Sequence, residues 1–430
     1  MGKIRFIDLF AGIGGFHKAL EKTAAITKDD IECVFVSEID KESIKTYSGN
    51  FNIDKEKIIN IRNVDSECSQ VPDHDFLFAG FPCQTFSNAG NKKGFLDEIR
   101  GTLFFDIAKI LHKKKPKYIL LENVKHLVNH DNGKTWKIII EKLIEIGYMV
   151  PDVNNPLILS PHQFGIPQDR KRVFIPGYYV GPEVAKNESL DLDFSEYNQT
   201  SFNLNYSEPM ETKKYIWDNF LEKNVSEEYY LNEGSYLVKV FDAWNEFLKN
   251  VKRNSGRTLP VIWASEFGKN YDISDLPNWR KKYISDMREI YKNNKNFIDA
   301  WIEKYNVLSW KKREQKFEWQ AGVDMDDIHD SFIQLRQSGI RCKRPIKFPT
   351  LVAMVQIPIV FEKGVNKWRY LTPGEVGKLQ SFPTDYKNYV DIEKNSNNFY
   401  AYKQFGNSVN VEIVSIIQQE LIKKVRFKNE

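Results

Sequence analysis

Cysteine is scarce in this chain, and its four copies are badly placed for either structural job that cysteine does. Cys33, Cys68, Cys83 and Cys342 form no CxxC pair and have no histidine at ligand spacing, so neither a metal site nor a disulfide is expected. Long apolar runs are missing as well. Nothing approaches the roughly 18 residues that span a bilayer, and the N-terminus enters a strand almost at once, without the apolar core of a signal peptide. A cytoplasmic protein with no membrane partner is therefore expected. Nor does one sign of charge dominate: 62 Lys and Arg stand against 58 Asp and Glu, a formal net charge of +4, so any footprint for a polyanion must be local. There is no internal repeat, low-complexity tract or long linker. What remains is 430 residues, 41% of them hydrophobic, enough for a full core spread over two or three domains.

The chain reads as two halves. Up to about residue 180, β-like runs (4–10, 32–37, 75–78, 118–122, 173–175) alternate with helical stretches (15–22, 41–50, 103–114, 135–146). That alternation predicts crossover units and a parallel sheet with helices on both faces, and Gly147 stands where a helix should stop. From 181 to about 340 the alternation ceases. Residues 181–248 carry 14 acidic and 5 basic side chains, whereas 249–316 carry 16 basic and 8 acidic. The basic part is interleaved with Trp263, Tyr271, Trp279, Tyr283, Tyr291, Trp301 and Trp310. Such a segment suits nucleic-acid contact and equally suits solvated helices around an aromatic core. Apolar residues return near 351–355, and 409–424 reads as a helix.

Two stretches of the first half carry chemistry. Asp8-Leu9-Phe10-Ala11-Gly12-Ile13-Gly14-Gly15-Phe16 follows a strand and opens a helix, as a turn that passes close to a ligand must. A dinucleotide fingerprint would want glycine at position 17; His17 stands there, which weakens a hydride-transfer reading. Glu38 ends the second strand, where a carboxylate can accept hydrogen bonds from two ribose hydroxyls. The second stretch is Phe81-Pro82-Cys83-Gln84, after the apolar run 76–79. Pro82 keeps the backbone extended, so the thiol is presented at the carboxyl end of a strand, where open α/β folds keep their chemistry.

Taken together these pieces resemble the DNA cytosine-5 methyltransferase family, of the bacterial type that accompanies restriction systems. Phe6 to Phe16 looks like the cofactor motif, Glu38 its ribose acid and Phe81 to Gln84 the nucleophile motif. Gly101-Thr102-Leu103-Phe104 resembles the next cofactor-side motif, Glu122-Asn123-Val124 the acid motif, and Gln168-Asp169-Arg170-Lys171-Arg172 the Gln-x-Arg-x-Arg motif. Gly406-Asn407-Ser408-Val409 looks like the last motif, which closes the cofactor pocket. The resemblance covers about 1–180 and 340–425. It departs from the family at Ile39, where an aromatic often stacks on adenine, and at Arg62, where an Asp is common and Asp65 lies three residues on.

The resemblance implies an α/β, Rossmann-like S-adenosylmethionine-dependent domain with a mostly parallel sheet and a second, smaller target-recognition domain. The expected layout is 1–180 catalytic and cofactor-binding, 181–365 target recognition, 366–403 a hinge, and 404–430 a C-terminal helix returning to the catalytic domain. S-adenosylmethionine would meet Asp8, Phe10, Ala11, Gly12, Ile13, Gly14, Gly15, Phe16, Glu38, Ile39, Pro82, Leu103, Asn407 and Ser408. The partner implied is duplex DNA, contacted through Gln84, Ser87, Lys92, Gln168, Arg257 and Thr258, the last beside Leu259 in a Thr-Leu pair typical of recognition regions. A monomer suffices for one base per event, and a cognate restriction endonuclease acting separately is compatible with it.

The chemistry explains the residue types. Cytosine C5 is a poor nucleophile until a thiolate adds at C6; Cys83 is the expected attacker. Glu122 would hold or donate a proton at ring N3, and the apolar run 119–121 before it suits a desolvated carboxyl. Asn123 would orient the loops around Glu122. Arg170 would stabilise charge at the ring carbonyl, and Arg172 would seat the nucleophile or the DNA backbone. The base must leave the duplex to react, and 87–100 has the composition of a loop that closes over it. A tRNA methyltransferase on the same scaffold and a catalytically silent DNA binder are the competing readings. The long insert argues against the first, and intact Cys83, Glu122 and Arg170 argue against the second.

Overall fold

The computed structural model describes residues 2–82, 103–199, 207–251, 258–351, 356–389 and 398–427. The chain forms two compact units, Met1–Asn203 with Gly377–Glu430, and Leu204–Val376. Both are α/β.

The first unit opens with β1 (Lys3–Leu9), α1 (Gly15–Thr27), β2 (Asp30–Ser37), α2 (Lys41–Phe51), β3 (Ile58–Ile59) and β4 (Phe76–Gly80). It continues through α3 (Leu103–Lys114), β5 (Tyr118–Val124), α4 (Lys134–Ile146), β6 (Tyr148–Met149), β7 (Leu157–Leu159), β8 (Gln168–Asp169), β9 (Arg172–Tyr179) and α5 (Pro182–Ala185). The sheet runs β3-β2-β1-β4-β5-β9-β6, with β7 also on β9. Strands β1 to β5 are mutually parallel, as the alternation predicts. The run at 173–175 is a correction: β9 is antiparallel to β5, β6 and β7.

Central strands are apolar on both faces, as strands covered on both sides must be. Ile7, Leu9, Leu77, Ala79, Ile119 and Leu121 pack with Phe104, Ile107 and Leu111 of α3 and with Ile139, Ile140 and Leu143 of α4. On the opposite face Phe6 and Phe78 meet His17 and Phe16 of α1. In α4 the apolar residues recur at helical spacing and stop at Gly147, whose φ of 114° is left-handed. Asp40 caps α2, its carboxylate accepting from the Ser43 amide at 2.9 Å.

The second unit holds α6 (Pro209–Phe220), α7 (Tyr236–Asn250), β10 (Ile262–Trp263), α8 (Asn278–Asn293), α9 (Lys295–Tyr305), β11 (Lys316–Gln320), β12 (Phe332–Arg336), β13 (Gly339–Lys343), β14 (Phe348–Pro349), β15 (Ile359–Glu362) and β16 (Lys367–Tyr370). Six of its strands form a mixed sheet in the order β10-β11-β13-β12-β15-β16. Its core is aromatic: Trp244 stacks on Phe317 at 4.7 Å and lies 5.0 Å from Trp301 and 6.1 Å from Trp310. Of the aromatics interleaved with basic residues, Trp301 and Trp310 are therefore core, whereas Tyr271 and Trp279 are exposed.

After α10 (Pro373–Leu379) come α11 (Phe399–Asn407) and α12 (Val411–Phe427). Within the first unit α12 packs along α1. Their seam is polar at one point, where the buried Thr23 hydroxyl bonds Ser415 Oγ and Gln418 Oε1, both at 2.9 Å. Among the described residues no helix is long and apolar enough to cross a membrane, and no group of three or more His, Cys, Asp or Glu is arranged to hold a metal.

Candidate active site

In the strand order of the first unit, β1 and β4 are neighbours although the chain visits β2 and β3 between them. The chain thus departs in opposite directions from their carboxyl ends, and this switch point is where an open α/β sheet leaves a crevice. Both candidate motifs lie there: the turn after Leu9, and Phe81-Pro82 after Gly80.

The turn is built from left-handed backbone. Gly12 and Gly14 have φ of 55° and 82°, and Phe10, a non-glycine, has φ of 54°, a conformation that strains a side-chain-bearing residue. The Gly12 amide donates to Glu38 Oε2 at 2.7 Å, and the amides of Ile39 and Asp40 donate to Oε1 at 2.7 and 2.9 Å. Three amides therefore hold the Glu38 carboxylate. Of its roughly four acceptor positions, about one is left for an incoming hydroxyl. Ile39 is 71% exposed beside it, an aliphatic face where a planar group can lie. Gly15 is required by crowding: a Cβ there would fall 2.6 Å from Ser408 Oγ and 2.7 Å from Val409 Cγ2. The segment that follows α11 therefore seals one side of the turn, with Ser408 and Val409 buried and Asn407 exposed. The Tyr386 hydroxyl donates to the Ile13 carbonyl from the same C-terminal part.

Behind the turn lies a buried polar cluster. Asp8 is fully buried, and neither carboxylate oxygen has a hydrogen bond of ordinary geometry. Burial foremost, then the charge of Glu38, pushes its carboxyl well above the usual range, against a weaker opposing pull from the Tyr47 hydroxyl and the His17 amide. His17, standing where a dinucleotide fingerprint has its third glycine, stacks on Phe51 at 3.8 Å and shares a 2.9 Å hydrogen bond with the Tyr47 hydroxyl. Burial, then Lys18, lowers it to about 3.

The second cluster surrounds Glu122 near the end of β5. Arg172, first residue of the neighbouring antiparallel β9, brings Nε within 3.0 Å of Glu122 Oε1. Arg170 is buried; its Nη2 donates to the Ser408 carbonyl at 2.7 Å and its amide donates to Ser160 Oγ at 3.0 Å. Burial raises the Glu122 carboxyl, opposed by Arg172 and then Arg170. Burial, then Arg172, lowers the Arg170 guanidinium to about 9, with Glu122 pulling the other way. Asn123 donates through Nδ2 to the Phe81 carbonyl at 2.8 Å and accepts from the Val124 amide at 2.8 Å. It thereby ties the acid strand to the segment that leads into Cys83. Gly80 lies opposite Glu122, and a Cβ there would sit 3.4 Å from the Phe16 ring and 3.7 Å from Glu122 Oε2. Its lack of a side chain keeps space between the two motifs.

Cys83, Gln84, Ser87, Lys92 and Arg257 lie outside the described residues, as do Gly101 and Thr102. Pro82 is exposed and Leu103 opens α3, half-buried against the core. Gln168, expected to face DNA, is fully buried and presents no surface to a duplex. Thr258 is exposed, while Leu259 beside it belongs to the aromatic core. The Asp65 carboxylate accepts from the Ser69 amide at 2.9 Å. Sequence reasoning missed Ser160, Gly80 and Tyr386. Only Gly80 carried a signal, a glycine closing an apolar strand.

Comparison with known proteins agrees with this geometry. A family model described as C-5 cytosine-specific DNA methylase matches residues 4–423. The Type II methyltransferase M.BanI of Aneurinibacillus aneurinilyticus is 32% identical over 443 residues, 97% of this chain and 96% of that protein. The orphan methyltransferase M.SPRI of Bacillus phage SPR is 30% identical, covering 98% of each. Among solved structures, the Entamoeba histolytica methyltransferase EhMeth aligns with a TM-score of 0.52 at 15% identity, over 98% of this chain and 99% of that one. A putative DNA modification methyltransferase encoded within an Escherichia coli prophage gives 0.51 at 16%, with the same coverage; both likenesses speak for the fold.

Proposed function

Since the chain belongs to the C-5 cytosine-specific DNA methylase family and is a DNA cytosine-5 methyltransferase, we propose that it acts on a cytosine extruded from duplex DNA, in a specific sequence context, through a covalent bond from Cys83 to ring C6. Its methyl donor in this reading is S-adenosylmethionine, which supplies an electrophilic methyl group when bound. The residues present suit such a donor. Glu38 has acceptor capacity for a ribose hydroxyl, Ile39 offers an apolar face for adenine, and the Gly12–Gly15 turn brings backbone close.

The observation that carries the reading is the hydrogen bond from Asn123 to the Phe81 carbonyl. It holds the strand end bearing Glu122 beside the backbone that continues to Cys83. Thiolate addition at C6 pushes electrons toward C5 and charge onto the ring's N3 and carbonyl oxygen. A carboxyl raised by burial can hold a proton for N3, and the Arg170 and Arg172 guanidiniums counter charge at the carbonyl. After methyl transfer, loss of the C5 proton and departure of the thiolate restore the aromatic ring. We assign target recognition to the second unit and protection of DNA in a restriction-modification system as the biological role.

The test is bisulfite sequencing of unmethylated plasmid incubated with protein and S-adenosylmethionine. Protected cytosines in one short motif are expected, and a duplex carrying 5-fluorocytosine in that motif should trap wild-type protein but not Cys83→Ser. Folded, cofactor-binding protein that protects no cytosine would refute the reading, as would trapping that survives loss of the thiol.

A further inference from the structure

In the second unit, strands β11, β13 and β12 form a surface whose two faces differ in chemistry. Phe317, Trp319, Ile333, Ile340 and Cys342 turn one way, into the aromatic core. Their alternate neighbours turn the other way. In register across the three strands stand Glu318, Arg341 and Gln334, with Lys316 and Arg336 two residues along their own strands. Glu318 Oε1 lies 3.1 Å from Lys316 Nζ and 2.5 Å from Arg336 Nη2, and its Oε2 lies 2.8 Å from Arg341 Nε. Arg336 reaches across β13 because its cross-strand partner is Gly339. That glycine has φ of 140°, and a Cβ there would fall 3.0 Å from Lys316 Cβ.

The charge does not balance. One buried carboxylate serves three cations, and among the described residues none of the three has a second carboxylate within 4.0 Å. Glu318 is 6% exposed while both arginines keep part of their surface in solvent. The carboxylate works from beneath: it holds Arg336 through Nη2 and Arg341 through Nε, and both side chains keep part of their surface in solvent, although Arg336 Nε is itself buried without a hydrogen-bond partner. Two fixed forks with a net positive surplus match a polyanion that presents oxygen pairs at regular spacing. Fixing them in advance reduces the entropy lost on binding.

We propose that Arg336 and Arg341, clamped by Glu318, form a duplex-DNA contact site on the β11-β13-β12 face of the second unit. This rests on the reading above that duplex DNA is the substrate. Glu318 is a positioning residue in it, and the two arginines touch the nucleic acid.

The test is fluorescence anisotropy of the full-length protein on a short labelled duplex bearing the motif mapped by bisulfite sequencing, across a salt series. Arg336→Ala and Arg341→Ala should each weaken binding about tenfold and lower the slope of log Kd against log salt by about 1. Affinity for S-adenosylhomocysteine, read by calorimetry, should not change. Binding weakened less than threefold in both variants overturns the proposal. Should either alanine variant fail to fold, Arg336→Lys and Arg341→Lys, which keep charge but lose the fork, are read against the same threefold limit. Wild-type protein that neither binds nor methylates the duplex would instead defeat the functional reading.

Discussion

His17 offers a sharp quantitative test of how the turn is supported. Its ring is enclosed by Phe6, Phe51 and Tyr47, and Glu21 Oε1, 3.9 Å from Nε2, is the one carboxylate within 4.0 Å of its ring nitrogens among the described residues. Burial and Lys18 lower it from 6.5 to about 3. A histidine held neutral in the folded state must gain a proton on acid unfolding. Its contribution to stability is therefore complete above pH 6.5 and is lost as pH falls toward 3. At pH 5 the unfolded ring is almost fully charged and the folded ring almost fully neutral, a gap of about 2 kcal/mol. That is a sizeable share of a typical 5–15 kcal/mol. His17→Gln keeps a partner for the Tyr47 hydroxyl and removes the titration. Urea unfolding followed by circular dichroism at pH 8, 7, 6 and 5 should show wild type losing about 2 kcal/mol more than the variant between the extremes. Parallel curves, within about 0.5 kcal/mol at every pH, would refute the burial argument.

Further expectations follow from the same geometry. Glu122→Gln keeps the shape of the pocket and loses the titrating proton, so single-turnover methyl transfer should fall by about 10²–10⁴-fold while cofactor affinity holds; a loss below tenfold would remove Glu122 from proton transfer. Gly15→Ala drives a methyl group into Ser408 and Val409, which should cost about 1–3 kcal/mol of stability in thermal denaturation. An unchanged melting temperature would mean that the seal over the turn is loose.

Helix ends marked by a stop were the most legible: α3 ends at Lys114 as expected and α4 stops before Gly147, whereas α1 runs on to Thr27, beyond the expected 22. Strand direction was not legible. The connection from Gly147 to Lys171 contains short extended pieces and turns in place of a crossover helix, so nothing local announced that β9 reverses. The grouping of Glu122 with Arg170 and Arg172 was legible because motif order carries it. That Ser408 returns to the Gly-rich turn was legible in the same way; how tightly it packs on Gly15 was not, since a 2.6 Å approach is set by packing alone. Gln168 misled for a related reason: alternation along an extended segment fixes which face a side chain shares, not whether that face is open. The basic, aromatic stretch divided only in three dimensions, with Trp301 and Trp310 taken into the core, Trp263, Tyr283 and Tyr291 half-buried, and Tyr271 and Trp279 left outside.

The seam between α1 and α12 has a consequence in time. Thr23 and Ser415 are bonded across 392 positions of sequence, so α1 must wait for a partner helix that is made long after it. At roughly 5–20 residues per second, some tens of seconds separate the two. Throughout that interval the apolar side of α1 has no cover from α12, and the Gly-rich turn lacks the Ser408 and Val409 that close it. The unit that carries the chemistry is finished only once α12 has been made, and a chain released before it would carry every motif of the first half without a closed pocket to use them in.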